Sequence, residues 1–329
     1  MIEITFKDVG QGDSIILKWI KDDEEKLGII DCKISNKENS ILNYVKENKI
    51  KRIEFLILSH PHLDHFSGFI SLLEYCIGNN VQIGYFLHTA NNMPVFWKTA
   101  VEGVIATSQI AILLKLIKTS KDKLGMKSHP VQGETIYGKF DLNDDFCIEF
   151  LNPTSEELDL YARNQISEPI EEEQGNRPSA NWLSTVIKIY NKKCDWYALL
   201  TSDANKDVLF YNGVENRKEY KGELVLAQCP HHGAKGNFKK SFWQKLNPNK
   251  REIPIVISVG RNSYDHPSKE VISTLQGLKY KVFLTNNKAV YSKEMKSLST
   301  ALDTFSSIVE DEVINGDKIF RIDNLGNVS

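Results

Sequence analysis

The sequence predicts an α/β protein made of short apolar strands that stop abruptly at polar, ligand-capable residues. Three observations predict it. Strand-like runs recur along the chain, and stretches with helical spacing separate them. Several of those runs end on His or Asp, as in IEFLILSH, DWYALLTSDA and ELVLAQCPHHG. Three of the eight histidines fall within the six positions from His60 to His65.

The elements follow in order. IEITF (2–6) alternates as a strand, GQGDS turns the chain, and SIILKWI resumes a strand. KDDEEK is a charged hairpin tip, and LGIIDCK is a third strand. ENSILNYVKENKI has helical spacing, with Ile41, Leu42 and Val45 on one face. IEFLILSH is a buried strand that runs into the histidine-rich turn, and FSGFISLLEYCIG begins a helix behind it. VQIGYFLH is a strand, residues 97–118 have helical character, and FCIEFL (146–151) is a strand. Residues 154–180 are acidic and polar with few apolar positions, so a surface loop or insertion is expected there. LSTVIKIY, DWYALLTSDA, ELVLAQCPHHG, IPIVISVG and KVFLTN return to strands. Residues 293–329 form a mixed helix and strand extension. No internal repeat or low-complexity tract interrupts this pattern. The reading is one domain over 1–292, with 154–180 inserted and 293–329 extending it.

Composition narrows the function. Of 329 residues, 41% are hydrophobic and 26% charged, the balance of a globular chain with a sizeable core. The formal charge of -2 gives no bulk attraction for nucleic acid, so such binding needs a local basic patch. No apolar run reaches the length of a membrane span, and the first residues lack a signal-peptide pattern. The five cysteines are scattered and form no CxxC pair, as thiols in a reducing compartment would be. The expectation is a cytoplasmic protein without a membrane partner.

Three segments carry chemistry. In Ser59-His60-Pro61-His62-Leu63-Asp64-His65, His60 and His62 share a face in extended chain, and the following turn brings Asp64 and His65 toward the same point. Imidazole and carboxylate together suit zinc, and also manganese or iron. Burying these groups without a cation would carry a heavy desolvation cost. In Leu199-Leu200-Thr201-Ser202-Asp203, an apolar strand ends on a carboxylate that can bridge two cations. The bland alternative is a turn or helix-cap Asp. In Cys229-Pro230-His231-His232-Gly233, two adjacent histidines point different ways, so one can bind metal while the other faces substrate.

These segments resemble the metallo-beta-lactamase fold hydrolases, whose first motif is His-x-His-x-Asp-His. The closer resemblance is to the ComEC-like branch, which includes the soluble domain of a bacterial DNA-uptake channel. It rests on DVGQGDSIIL, IIDC, LSHPHLDHFSG, NWLSTVIKI, LLTSDA, CPHHGA and ISVGRNSYDHPS in that order. The resemblance implies an αββα sandwich: two mixed sheets packed face to face, helices outside, metals at one edge. It implies one or two zinc ions, with manganese as an alternative. His60 and His62 would hold the first ion, Asp64 and His65 the second, with Asp203 between them and His232 as the last ligand. His231 would then face the scissile group, and Asp31 would orient a ligand from behind. Asn181 stands where the superfamily usually supplies a further His, and His88 is a candidate substitute. Lys33 and Ser202 replace customary glycines, which bears on local backbone geometry. Asp13, in a turn that lacks the Lys of a phosphate loop, would lie near the metals; a plain hairpin turn is the alternative. Asn262 and His266 would contact substrate, and Lys235, ahead of Lys239-Lys240, could meet a phosphate backbone.

The reaction implied is hydrolysis of a phosphodiester, DNA or RNA foremost, by a metal-bound hydroxide. Asp64 or Asp203 would orient the nucleophile, and His231 or His266 would assist the leaving oxygen. A small-molecule hydrolase acting on cyclic nucleotides or phosphoesters is the alternative. A non-catalytic binding or regulatory module is the third reading; Asn181 gives it room, and the retained His60, His62, Asp64, His65, Asp203 and His232 speak against it.

Overall fold

The structure, a computed structural model, describes residues 1–89, 104–133, 138–166, 180–193, 195–206, 208–209, 222–286 and 316–329. Its strands form two seven-stranded sheets. The first holds β1 (Ile2–Phe6), β2 (Ile15–Lys21), β3 (Glu24–Ile30), β4 (Arg52–Leu58), β5 (Gln82–His88), β6 (Lys127–Pro130) and the late strand β14 (Lys318–Ile322). Their spatial order is β14-β1-β2-β3-β4-β5-β6. The second holds β7 (Lys139–Asp141), β8 (Phe146–Asn152), β9 (Val186–Asn191), β10 (Trp196–Leu200), β11 (Glu223–Gln228), β12 (Ile253–Ile257) and β13 (Tyr280–Leu284), ordered β13-β12-β11-β10-β9-β8-β7.

Both sheets are mixed in the same way. Pairing is antiparallel from β14 to β3 and parallel from β3 to β6. It is antiparallel from β7 to β10 and parallel from β10 to β13. The inner faces meet in one apolar layer that draws Ile4, Leu17 and Ile57 from the first sheet and Ile148, Ile189 and Leu226 from the second. Helices cover the outer faces. Over the first sheet lie α1 (Ser40–Glu47), α2 (Leu63–Asn79) and α3 (Val104–Leu124), which bury Ile41, Phe69 and Leu113 among others. Over the second lie α5 (Lys240–Leu246) and α6 (Lys269–Gly277), which bury Phe242, Trp243 and Val271. Two mixed sheets flanked by helices is the αββα arrangement.

The polar stretch after residue 154 is not all loop. Ser155–Ile166 forms α4, and Leu158 and Tyr161, one turn apart, are buried in the first outer core. Glu157 accepts hydrogen bonds from the backbone N–H and hydroxyl of Thr154, a capping box that TSEE spells in the sequence. Residues 167–179, in the remainder of that stretch, lie outside the described residues, as do 90–103. In the late segment, 293–315 is likewise outside them, and β14 pairs antiparallel with β1, Ile4 opposite Phe320. Among the described residues, no helix is long and apolar enough to cross a membrane.

Candidate metal centre

The parallel halves of the sheets place β4, β10 and β11 so that their carboxyl ends meet at one edge of the sandwich, and the ligand-capable residues follow those ends. Ser59, His60, Pro61 and His62 continue β4 into α2. His62 occupies the N-cap position in extended backbone, and Asp64 and His65 fall in the first helical turn. A carboxylate is favoured there by the exposed N–H groups of the helix start. Asp203 follows β10, and His231 and His232 follow β11.

These side chains converge. Among the described residues, three groups have ligand atoms that lie within 4.8 Å of one another: Asp13, Asp31 and His65 form one, and two more share a residue, with Asp64, His65, Asp203 and His232 in the first and His60, His62 and Asp203 in the second. Asp203 belongs to both. His232 Nε2 is 3.3 Å from Asp203 Oδ1 and 3.6 Å from Asp64 Oδ2. His65 Nε2 is 3.6 Å from Asp203 Oδ2 and 3.9 Å from Asp64 Oδ1. On the other side, His60 Nε2 is 3.0 Å from His62 Nδ1 and 3.9 Å from Asp203 Oδ2.

The far nitrogens are tied down. His65 Nδ1 donates to Asp31 Oδ2 at 2.7 Å, and His232 Nδ1 donates to the Ser258 carbonyl at 2.7 Å. Each bond fixes the tautomer and turns Nε2 inward. His65 Nε2, His232 Nε2 and Asp203 Oδ1 are buried and make no hydrogen bond. A buried polar atom without a partner is costly, and three that converge fit the donor set of a divalent cation such as zinc or manganese. Asp31 is held in turn by the backbone N–H and hydroxyl of Ser59, at 2.8 and 2.6 Å.

Electrostatics follow from this packing. Burial pushes His60 well below the ordinary histidine range, and the neighbouring His65 and His62 push the same way, leaving the neutral ring that binds metal. Burial also opposes charge on His65, but the carboxylates of Asp203, Asp31 and Asp64 raise it well above that range. Against the penalty of burial, His232 and His65 hold Asp203 well below the usual carboxylate range.

The backbone is strained where the ligands sit. Asp31 (φ 56), Ser202 (φ 46), His231 (φ 48) and His232 (φ 53) all adopt left-handed conformations. Such residues cost on the order of 1–3 kcal/mol each and persist only where the surroundings impose them. Ser202, at the customary glycine position, therefore keeps the left-handed turn despite its side chain, whereas Lys33 has an ordinary φ. Gly12 cannot be replaced freely: at φ +130 a Cβ would fall 2.4 Å from the Asp64 carbonyl oxygen. Its neighbour Asp13 donates its N–H to that oxygen at 3.1 Å.

A cavity of about 370 Å³ opens over the centre, lined among others by His62, Asp203, His231, Asn181, Tyr264 and His266. His231 Nε2 is 3.9 Å from Asp203 Oδ2, and Asn181 Nδ2 is 3.3 Å from His231 Nδ1. Asn181 thus sits beside His231 in the cavity lining. Burial, with His231 and His232 beside it, lowers His266 below the ordinary range. Asp13 is buried near His65 Nδ1 at 3.8 Å rather than exposed at a hairpin tip.

Two expected substrate contacts are placed elsewhere. Asn262 is spent on its own loop: Nδ2 donates to the Gly260 and His266 carbonyls, and Oδ1 accepts from the N–H groups of Tyr264 and His266. Lys235 is exposed and paired with Glu270. His88, at the end of β5, packs against Phe86 and joins none of the three ligand groups among the described residues. Sequence reasoning missed Gln228. This buried amide accepts from the N–H groups of Thr201 and Ser202 at 3.1 and 3.0 Å and donates to Asp13 Oδ2 at 2.9 Å. The one signal was a polar residue closing the apolar run ELVLA.

Residues 8–79, which carry β2 through α2, match the profile of the Metallo-beta-lactamase superfamily. The chain has the metallo-beta-lactamase fold. No curated protein matches the sequence. Among solved structures, the chain is similar to the metallo-beta-lactamase fold protein YhfI from Bacillus subtilis, at 10% identity over 86% of this chain and 96% of that one, with a TM-score of 0.46. It is similar to a diphosphatase of the PhnP family at 12% identity, over 86% of this chain and 94% of that one, with a TM-score of 0.42. A mutant of CmlA beta-hydroxylase shares 11% identity over 97% of this chain and 54% of that one, with a TM-score of 0.39.

Proposed function

We propose that the chain is a metal-dependent phosphodiesterase that cleaves DNA or RNA. The observation that carries the metal-dependent reading is Asp203, shared by two ligand groups, with its Oδ1 and the Nε2 atoms of His65 and His232 buried together and without a hydrogen-bond partner. The ComEC-like motifs, in unbroken order from DVGQGDSIIL to ISVGRNSYDHPS, support the phosphodiester substrate.

When bound, zinc or manganese would supply charge for the phosphoryl oxygens and acidify the attacking water. His65 and His232 present Nε2 because Asp31 and the Ser258 carbonyl hold their opposite protons. Asp64, partly open to the cavity, orients the attacking water as a hydrogen-bond acceptor. His231, on the open side of Asp203 and steadied by Asn181, is placed to give a proton to the leaving oxygen. The small volume of the cavity favours a second reading, a hydrolase of small phosphoesters. Salt-dependent binding of oligonucleotides separates the two.

The test is metal analysis of the purified chain followed by hydrolysis of bis(p-nitrophenyl) phosphate with zinc or manganese. Turnover is expected, and the double substitution Asp64→Ala, His65→Ala should abolish it. Full activity in the double variant would sink the proposal.

A further inference from the structure

Three aromatic rings run in a row from the metal centre to the solvent. His231 stands beside Asp203. Its ring meets His266 edge-on, with centroids 5.7 Å apart and an interplanar angle of 73°. His266 in turn stacks on Tyr264, at 5.9 Å and 25°. Tyr264 is 70% exposed, although it lines the cavity together with His266 and Asp203. A tyrosine ring left open at the mouth of a polar cavity loses apolar contact with nothing gained in the free protein.

The loop that carries Tyr264 and His266 is held in place. The four hydrogen bonds of the Asn262 amide fix the backbone at Gly260, Tyr264 and His266. Ser268 N–H donates to the Gly233 carbonyl at 3.0 Å, which ties the loop to the turn of His231 and His232. Gly233 allows close contact there, since a Cβ would fall 2.7 Å from Pro267 Cβ. The backbone that carries Tyr264 and His266 is therefore held before any ligand arrives, which lowers the entropy cost of ordering the loop on binding.

We infer that Tyr264, backed by His266, is a stacking shelf for a nucleobase whose phosphate lies at Asp203 and His231, and that it sets a preference for nucleotide phosphodiesters over base-free ones. This inference rests on the phosphodiesterase reading of the same centre. Stacking on an aromatic face is tolerant of base identity, because every base offers a π-face. The shelf therefore selects for the presence of a base, with little preference among the four. The Tyr264 hydroxyl plays no part in it.

The experiment compares a thymidine dinucleotide with its counterpart in which both sugars are abasic tetrahydrofurans, using metal-loaded wild type, Tyr264→Ala and Tyr264→Phe. The readout is the ratio of kcat/KM for the two substrates. Wild type is expected to favour the base-bearing substrate. Tyr264→Ala should cut that ratio by about 10-fold or more, and Tyr264→Phe should keep it, as base stacking of this kind predicts. Calorimetric binding of thymidine monophosphate should weaken in the same order. If wild type cleaves both substrates equally, or Tyr264→Ala keeps the wild-type ratio and binding, the shelf is overturned while phosphodiesterase function stands. If no form cleaves either substrate, the functional reading falls and the shelf with it.

Discussion

Gln228 joins three loops at the metal edge, and its replacement by leucine separates a structural role from a metal-positioning one. The side chain is 2% exposed. Gln228→Leu would remove the acceptor for the N–H groups of Thr201 and Ser202 and the donor to Asp13 Oδ2. Each buried group left without a partner costs roughly 1–3 kcal/mol, and a charged one more. The three groups together give an expected loss of stability of about 3–9 kcal/mol. Ser202 would also lose the contact that holds its left-handed turn, and Asp203 follows directly in the chain. Loss of such supporting contacts behind metal ligands typically costs about 10- to 100-fold in metal affinity. Denaturant titration of the metal-free chain gives the first quantity, and competition with a zinc indicator gives the second. Asn247→Leu is the control. The Asn247 amide is also buried and makes three bonds, to Arg251 N, Arg251 O and Leu278 O, at the opposite end of β12 from the centre. Both variants should lose stability, but only Gln228→Leu should lose metal affinity. Equal zinc affinity in the two variants would refute the reasoning.

Two further outcomes are expected. Burial alone would lower His232, but Asp203 and Asp64 raise it to about 9, above the roughly 6.5 of an unfolded histidine. The resulting stabilisation of the metal-free chain, on the order of 3 kcal/mol, is fully present below about pH 6.5 and is lost as pH rises through about 9. Denaturation midpoints between pH 6 and 10 check it, and a profile that His232→Leu leaves unchanged would count against it. Gly12→Ala forces a Cβ against the Asp64 carbonyl at a backbone angle L-residues avoid, and should cost at least about 1–3 kcal/mol, read by the same titration.

Much of the centre was legible because its parts are local. His60, His62, Asp64 and His65 lie within six positions, and the strand ends at Asp203 and His232 announce themselves by an abrupt change from apolar to polar. The mixed two-sheet architecture followed from the resemblance those motifs carry. What the sequence concealed depends on long-range geometry. Gln228 meets Asp13 across 215 positions, and no spacing rule brings them together. Asn262 looks like a phosphate donor until the loop folds back and consumes all of its bonding capacity. Lys235 looks like a free cation until α6 brings Glu270 alongside. The helix after Thr154 was concealed by its polar surface, although its capping box and the Leu158–Tyr161 pair were present to be read.

The pairing of β1 with β14 sets a timetable for synthesis. Ile2–Phe6 leaves the ribosome about 310 residues ahead of its outer neighbour Lys318–Ile322. At about 5–20 residues per second, the outer edge of β1 waits on the order of tens of seconds for its partner. An unpaired edge over that interval invites pairing with other chains. Glu3, the second residue of β1, pairs at 2.6 Å with Lys18 of β2, which is translated soon after it. Once β14 docks, the same carboxylate takes Arg321 at 2.8 Å. One acidic side chain thus guards the open edge of the nascent chain and later fastens the strand that closes it.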